Sequence, residues 1–399
     1  MIEDILFYIA VYLSLFVSVF WLLIFLDNKE QPKNKITRFP SLTIIIPCYN
    51  EEEYLESCVE SLIRQRYPKL RVIIVDDGST DMTQEIGKKL SKKYGFIKYM
   101  RKNQGGKGAA LNRALSQINT EYFGFIDADT FLSKNALKNM TSYLNDGAAA
   151  VIAVIKPVKP RNFVERLQKI EYMIASFTRK LMSFLEALYY TPGFALYRTN
   201  VVKKLGGFDE DNLTEDLEIG LRLKNNGHKI ENTIEDYAYT VVPKTLKELF
   251  NQRLRWYRGS IYNSRKYKHM FFSREHGDLG MFVLPVQYLL LAVTTPLLLI
   301  GVWHMFTSIA KNIIDVNLVG FDMGYFLETT SVQFINPFTF FVVALLASFI
   351  LILKTSEREI KEKISAAEYA VYIIIYPFIN LFLWIAAFMQ EMLRAKKKW

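Results

Sequence analysis

Cysteine is scarce in this chain, which has two cysteines among 399 residues. Cys48 lies at the end of a predicted strand and Cys58 on a predicted helix, so neither a disulfide framework nor a zinc site is indicated. Internal repeats and low-complexity tracts are also lacking. The glycine-rich stretch NQGGKGAALN (103–112) has no serine or threonine after Lys107, which excludes a P-loop. Glycines before a helix and a lysine can still bind a phosphate.

A cleavable signal peptide is not indicated, although the chain begins with an apolar run. The segment 5–26 carries no charge and is long enough to cross a bilayer. Its flank MIEDI is acidic and no A-x-A site follows it, which favours an uncleaved anchor. Similar apolar runs lie at 281–306, 334–353 and 369–390. The sequence therefore predicts four membrane spans.

The formal net charge is +10, but no nucleic-acid-binding motif accompanies it. Much of the excess lies beside the apolar runs, in NKEQPKNK, SRKYKH and RAKKKW. Lysine and arginine are enriched on the cytoplasmic side of membranes, where anionic lipids attract them. The charge therefore indicates a lipid bilayer, and not a nucleic acid, as the partner.

Residues 41–259 contain no membrane-length apolar run and are predicted to form one α/β domain. Helical patterns separate the first three of four predicted strands, which lie at 41–47, 71–77, 122–127 and 148–155. This alternation indicates a mostly parallel sheet covered on both faces. Ligands bind beyond the carboxyl ends of such strands. The first three strands end in PCYNEE, DDGSTD and DAD, so acidic residues collect where a pocket is expected.

Two acidic motifs allow both a structural and a catalytic interpretation. Asp127 and Asp129 can bind a hard divalent cation, which shares oxygen ligands with phosphate, although D-x-D pairs also occur on surfaces by chance. Glu215 and Asp216 stand in the first turn of a predicted helix capped by Thr214. They suit the positive end of the helix dipole. A carboxylate there can also accept the proton of an attacking hydroxyl.

Two further segments have helical patterns. One lies where the soluble part meets the apolar runs, and the other carries a basic face. In NQRLRW (251–256), Gln252, Arg255 and Trp256 share one helical face. In 162–190, an apolar stripe and a basic face favour a helix at a membrane surface. The alternative is a helix packed on its own domain, which needs the same stripe.

The motifs occur in the order PxYNEE, DDGS, GGKGxALN, DAD, TED and QRLRW, followed by apolar spans. This combination resembles the processive membrane branch of glycosyltransferase family two, which includes hyaluronan, chitin, cellulose and poly-N-acetylglucosamine synthases. The resemblance covers about residues 41–259 and the position of the later spans. It implies an α/β GT-A domain, Rossmann-like and cytosolic, that transfers a sugar with inversion from a UDP-sugar to a growing polysaccharide at the cell membrane.

The expected organisation has three parts. Residues 1–40 form a transmembrane helix and linker, 41–259 the GT-A domain, and 260–399 an interfacial helix with about three further spans. A growing polymer would pass from the active site toward the membrane helices, so that export could accompany synthesis.

The resemblance also implies a role for each motif. The nucleotide-sugar site would comprise Tyr49, Glu51, Asp76, Asp77, Lys107, Asp127, Gln252 and Arg255. Asp129 would hold Mg²⁺ or Mn²⁺, and Asp216 would be the catalytic base with Glu215 beside it. Trp256, Pro192 and Gly193 would bind the acceptor. The stretch TPGFAL (191–196) departs at PGF from the commoner Gly-Ser or Gly-Thr versions, which leaves the acceptor's identity open.

Two other functions remain open at this stage. A single-step glycosyltransferase acting on a lipid-phosphate acceptor shares the nucleotide motifs but usually lacks Q-x-x-R-W. A non-catalytic membrane protein that binds nucleotide sugar or polymer would be marked by loss of Asp129, Asp216 or Trp256, and all three are present.

Overall fold

The computed structural model describes residues 2–28, 38–319 and 337–393. The predicted basic flank RAKKKW and nearly all of NKEQPKNK lie outside the described residues. The chain divides into two compact units, one of residues 1–29 and 284–355, the other of residues 30–283 and 356–399.

The helices and strands are labelled here in chain order. The helices are α1 Ile2–Asp27, α2 Leu55–Ile63, α3 Thr83–Lys93, α4 Lys107–Leu115, α5 Ala136–Asn145, α6 Phe163–Phe184, α7 Thr199–Lys204, α8 Glu215–Asn225, α9 Leu246–Lys266, α10 Leu284–Val319, α11 Pro337–Ile360 and α12 Ala366–Met392. The strands are β1 Leu42–Cys48, β2 Leu70–Asp76, β3 Ile97–Arg101, β4 Tyr122–Phe125, β5 Thr130–Leu132, β6 Ala150–Pro157, β7 Ala195–Arg198 and β8 Ile230–Thr240.

Four helical stretches in the described part of the chain are long and apolar enough to cross a membrane. They are Asp4–Asp27, Leu279–His304, Phe340–Ile360 and Ala366–Met392. These stretches coincide with the four apolar runs identified in the sequence. Pro296 and Pro377 lie inside α10 and α12, as is tolerated in membrane helices.

The strands of the second unit form one mixed sheet in the order β3-β2-β1-β4-β7-β6-β8-β5. Neighbours β3, β2, β1 and β4 run parallel, as do β6 and β8. Strand β7 is antiparallel to both β4 and β6, and β5 is antiparallel to β8. The prediction of a mostly parallel sheet is confirmed, and β1, β2, β4 and β6 correspond to the four predicted strands.

The sequence did not reveal the other four strands. Strands β5 and β7 span three and four residues, too few to show a period. Strand β8, IENTIEDYAYT, carries acidic residues, and its side chains are only partly buried. The composition of this segment therefore does not predict a strand. Pairing with β6 stabilises the strand.

The core that positions the strand ends lies around β1 and β2. The apolar side chains of β1 are almost fully buried, because β2 and β4 flank it and helices cover both faces. Leu55, Val59 and Leu62 of α2 pack in the same cluster as Ile44 and Ile46. The carboxyl ends of β1, β2 and β4 consequently reach one edge of the sheet as a rigid group.

Most of the apolar stripe predicted at 162–190 packs on the protein itself, as the second of the two interpretations expected. Leu167, Ile170, Phe177 and Leu181 of α6 are at most 2% exposed. The helix packs against β6, β8 and α12. Phe163, at the start of the helix, is 49% exposed, and contact of this helix with a membrane surface stays a prediction.

Helix α9 runs through the predicted domain limit at 259/260 without interruption. Its second half contacts α12. The hydroxyl of Tyr257 donates to Asn380 Oδ1 over 2.7 Å, and the Tyr257 ring stacks on Trp384 with centroids 4.4 Å apart. Arg258 Nε donates to Glu391 Oε1 over 2.7 Å. A helix of the sheet domain is thus bound to a helix that is apolar enough to cross a membrane.

Candidate active site

The loops after β1 and β2 are tied together at the sheet edge. Ser79 Oγ accepts from the backbone N–H of Asn50 over 3.0 Å, and Asn50 Oδ1 accepts from the N–H of Thr80 over 2.8 Å. Tyr49, just before Asn50, is 43% exposed. A ring this open beside two braced loops can bind a planar ligand.

Asp76 is fully buried at the end of β2. Its carboxylate accepts from the Tyr99 hydroxyl over 2.6 Å and from the N–H of Ser79 over 2.7 Å. Burial by itself would raise the pKa of Asp76, but these hydrogen bonds and the charge of Arg101 outweigh it and lower the pKa. Asp76 is therefore held as a carboxylate.

Asp77 anchors the glycine-rich loop. Its carboxylate accepts from the backbone N–H of Gly106 over 2.7 Å and of Gly105 over 3.0 Å, and it pairs with Lys102. The loop ends at Gly106, whose φ of +87° precedes the first residue of α4, Lys107. The predicted arrangement of glycines before a helix is confirmed.

Lys107 joins the two acidic motifs. Its Nζ lies 2.6 Å from Asp127 Oδ1 and 3.2 Å from Glu215 Oε1. Burial by itself would lower the pKa of Lys107, but the charges of Asp127, Glu215 and Asp216 outweigh it and raise the pKa. The DAD and TED motifs, separated by more than eighty residues in the sequence, therefore meet around one ammonium group.

Asp129 and Glu51 are carboxyl groups in a negative environment. Burial and the charge of Asp127 raise the pKa of Asp129 to about 6. Burial, Asp129 and Asp127 raise the pKa of Glu51 to about 7. Thr130 and Thr240 donate to Asp129 Oδ1 over 3.1 and 3.4 Å and orient it.

A hard divalent cation fits this donor set. Burial and nearby carboxylates raise the pKa values of Asp129 and Glu51, and a cation bound beside them would stabilise their ionised forms. No group of three His, Cys, Asp or Glu side chains that could hold a metal ion occurs within 2–28, 38–319 and 337–393. Asp129 would therefore need further ligands from a bound phosphate and from water, as is usual for Mg²⁺.

Asp216 lies at the start of α8, next to the buried Glu215. Burial and Glu215 raise the pKa of Asp216 to about 6, although Lys107 and Arg255 act against them. The backbone carbonyl of Asp216 accepts from Thr191 Oγ1 over 2.8 Å, which fixes the 191–196 stretch beside it. This carboxyl group therefore titrates closer to neutrality than an ordinary aspartate does.

The predicted cap of α8 is only half correct. Thr214 is the residue before the helix, but its side chain makes no capping hydrogen bond. Instead its Oγ1 accepts from Asn263 Nδ2 of α9 over 3.1 Å. Tertiary contact has replaced the local cap.

Pro192 and Gly193 follow Thr191 in a tight turn. Gly193 has φ +66°, and a Cβ there would lie 2.5 Å from Ile155 Cδ1. The positive φ favours glycine at this position.

The two arginines of NQRLRW differ in their surroundings. Arg253 is fully buried and forms a bidentate ion pair with Glu171 of α6, at 2.9 Å from Nε and 2.5 Å from Nη2. Arg255 makes no ion pair among the described residues, and its Nη1 reaches only the carbonyl of Leu213, at 3.4 Å. Gln252 is engaged by Arg253, which donates to its Oε1. Arg255 is thus the arginine available for an anion.

Trp256 is part of an aromatic and cationic stack that the sequence did not reveal. The Arg253 guanidinium lies 4.1 Å from the Trp256 ring centroid. The Tyr172 ring of α6 is nearly parallel to Trp256, at 26° and 6.5 Å between centroids. Burial raises the pKa of Tyr172. No sequence motif marks Glu171 or Tyr172.

Removing the partner of the buried arginine tests this stack. For Glu171→Ala we expect the free energy of unfolding to fall by about 3 kcal/mol, because a buried charge loses its counter-charge. The control Glu186→Ala breaks the exposed pair with Lys229 and should cost less than about 1 kcal/mol. Thermal unfolding in detergent measures both. Equal, small effects would contradict a structural role for the Glu171–Arg253 pair.

Comparisons with known proteins agree with this geometry. Residues 43–206 match the family model of glycosyl transferase family 2. The chain is 25% identical over 349 residues to a poly-β-1,6-N-acetyl-D-glucosamine synthase of Staphylococcus epidermidis, covering 84% of each protein. It is 26% identical over 258 residues to the synthase of that name from Staphylococcus aureus strain COL, covering 61% of this chain and 63% of the relative.

A solved structure shares the fold. The mannosyltransferase PcManGT from Pyrobaculum calidifontis, determined with GDP-Man and Mn²⁺, superposes with a TM-score of 0.55 at 21% identity, covering 88% of this chain and 99% of that one. The sheet domain therefore has the GT-A fold. Residues 43–206 thus match glycosyl transferase family 2, and the chain is similar over most of its length to a polysaccharide synthase.

Proposed function

We propose that the protein transfers a sugar, with inversion, from a UDP-sugar to a growing polysaccharide at the cell membrane, with the GT-A domain in the cytosol. The observation that carries the proposal is the position of Lys107 between Asp127 and Glu215. This ammonium group joins the carboxylates expected at the diphosphate to the helix that presents the base. N-Acetylglucosamine is the first sugar to test, since it is named in the synthase relatives.

Asp216 supplies the base in this reaction. The acceptor hydroxyl attacks C1 of the donor sugar, the bond from C1 to the acceptor oxygen forms, and the bond from C1 to the phosphate oxygen breaks. The hydroxyl proton passes to the Asp216 carboxylate. Attack on the face opposite the leaving phosphate inverts C1. A pKa of about 6 leaves Asp216 ionised at neutral pH and makes it a better proton acceptor than an ordinary aspartate.

The departing UDP carries extra negative charge. Arg255, which has no ion-pair partner among the residues described, can donate to it, and Lys107 lies 2.6 Å from Asp127. When bound, Mg²⁺ or Mn²⁺ held by Asp129 would supply further positive charge at the diphosphate. Preorganised cations of this kind stabilise the transition state more than the ground state.

Trp256 suits the acceptor end of the site. Sugars present apolar faces that pack on aromatic rings. The Arg253 guanidinium and the Tyr172 ring restrict the Trp256 ring, so the acceptor platform is formed before the acceptor binds. Less flexibility in the platform lowers the entropy cost of binding.

The function is tested by incubating purified protein with a panel of labelled UDP-sugars and Mg²⁺ or Mn²⁺. We expect metal-dependent UDP release and a ladder of polymer from one or a few sugars, with UDP-N-acetylglucosamine tested first. A single labelled lipid adduct would instead indicate transfer to a lipid phosphate. No UDP release with any sugar would contradict an enzymatic function.

The pH dependence of kcat/KM gives a separate prediction. The base works as the carboxylate, so activity should be constant above pH 7 and fall about tenfold per pH unit below about 6. Asp129 and Glu51 titrate in the same range without an ion, but a cation bound beside them would lower both pKa values. Profiles at limiting and saturating Mn²⁺ separate these two groups from Asp216. An acid limb that vanishes at saturating Mn²⁺ would assign the titration to Asp129 or Glu51 and contradict the role of Asp216.

A further inference from the structure

Two buried asparagines join the helix that carries the base to the helix that carries Arg255 and Trp256. Asn212 and Asn263 are both 0% exposed. Asn212 Nδ2 donates to Asn263 Oδ1 over 2.8 Å, and Asn263 Nδ2 donates to Asn212 Oδ1 over 3.2 Å. The two amides form a reciprocal pair, which we call the amide clasp.

The clasp extends to the first residues of α8. Thr214 Oγ1 accepts from Asn263 Nδ2 over 3.1 Å, and the Thr214 N–H donates to Asn212 Oδ1 over 3.1 Å. Glu215 and Asp216 follow directly. The hydrogen bonds therefore fix the backbone two residues before the base, at a point where the local helix cap is missing.

The opposite side of the clasp is equally constrained. A Cβ on Gly259 of α9 would lie 2.3 Å from Thr214 Oγ1, so α9 approaches Thr214 as closely as the backbone allows. Asn263 is seven residues after Trp256, about two helical turns, which places them on one side of α9. Arg255 Nη1 also reaches the carbonyl of Leu213.

We propose that Asn212 and Asn263 are positioning residues for the transfer reaction, and that they set the distance from the Asp216 carboxylate to Arg255 and Trp256. The inference rests on the proposed function. Neither amide contacts the reacting atoms. Buried amides satisfied by each other have one geometry, because any shift leaves a donor or acceptor without a partner. A purely apolar contact would allow α8 and α9 to slide.

A change in the positions of the catalytic groups affects the rate of transfer more than it affects binding of the UDP-sugar. A displacement of about 1 Å can cost about 100-fold in rate, whereas Tyr49, Asp76 and Asp77, which are expected around the nucleoside, lie on other elements. We therefore expect Asn263→Ala to lower kcat by about 10–100-fold with the KM for the UDP-sugar changed by about twofold or less. Asn212→Ala should have the same effect, and the double variant should be no worse than either single variant.

The decisive measurement is kcat per UDP-binding site, with the sites counted by titration of UDP on each purified variant. Misfolded molecules do not bind UDP, so a merely structural role would leave this ratio at the wild-type value and overturn the proposal. Asn263→Asp is the second variant, should alanine reduce the folded fraction too far. It keeps the acceptor for Asn212 Nδ2 and loses the donor to both Asn212 Oδ1 and Thr214 Oγ1, so an intermediate loss is expected, and a wild-type ratio would again overturn the proposal.

A matched control comes from the same helix. Arg265→Ala replaces an exposed arginine in the last turn of α9 and leaves the hydrogen bonds of the clasp intact, and its kcat per site should stay within about threefold of wild type. An equal loss in this control would show a general loosening of α9 and overturn the specific role of the clasp. A wild-type protein without transferase activity would instead refute the proposed function.

Discussion

Replacing Asp216 by asparagine is expected to lower kcat by about 10²–10⁴-fold, the contribution usual for a general base. Asparagine has the same shape, and its Oδ1 can still accept the 2.8 Å hydrogen bond from the N–H of Leu217. The amide cannot take the proton of the acceptor hydroxyl. Release of UDP, followed with saturating UDP-sugar and acceptor, measures the loss.

The control for Asp216→Asn is Asp146→Asn. Asp146 is exposed at the end of α5, before β6 begins, and therefore near the opposite edge of the sheet from the site. It should retain wild-type kcat. Binding of UDP to Asp216→Asn should be retained, because the base contacts the acceptor side. More than about a tenth of wild-type activity in Asp216→Asn would show that another group accepts the proton.

The second large effect is expected for Arg255→Ala, with kcat lowered by about 10²–10³-fold, as when one preorganised donor to a developing charge is removed. Arg255 has no ion-pair partner in the described part of the chain, so its loss breaks no ion pair. The stability of the protein should therefore change little while the rate falls. Arg255→Lys should recover part of the rate, since it restores the charge but not the planar fork.

Arg265→Ala is the matched control, since Arg265 is an exposed arginine in the last turn of the same helix. Its kcat should equal that of the wild type. A loss of stability without a loss of kcat in Arg255→Ala would assign Arg255 to packing, which is the role that the structure gives to Arg253. The roles assigned to Arg253 and Arg255 would then be reversed.

The four apolar spans, the parallel half of the sheet and the acidic strand ends could be predicted because each depends on a local pattern. Apolar length reports a membrane span, and continuous β-branched runs report buried parallel strands. Strands β5 and β7 were missed because they are too short to show a period. The packing of helix 162–190 could not be predicted because an apolar stripe looks the same whether protein or lipid covers it.

The site residues divide in the same way. Lys107, Asp127 and Glu215 could be named from motifs, but the sequence cannot show that one ammonium group contacts both carboxylates. Arg253 looks like Arg255 in the sequence, and only the packing of α6 brings Glu171 to one and not to the other. Asn212 and Asn263 belong to no motif at all.

The sequence by itself determined which chemical groups are present, which segments are apolar enough to enter a membrane and which strands are buried, because these properties depend on the residues and their near neighbours. Only the tertiary structure decided which arginine is neutralised and how α8 is held without its own cap. It also decided that carboxylates far apart in the chain contact the same lysine ammonium group. Charge pairing and buried hydrogen bonds act over a few ångströms in space, and separation along the chain does not limit them.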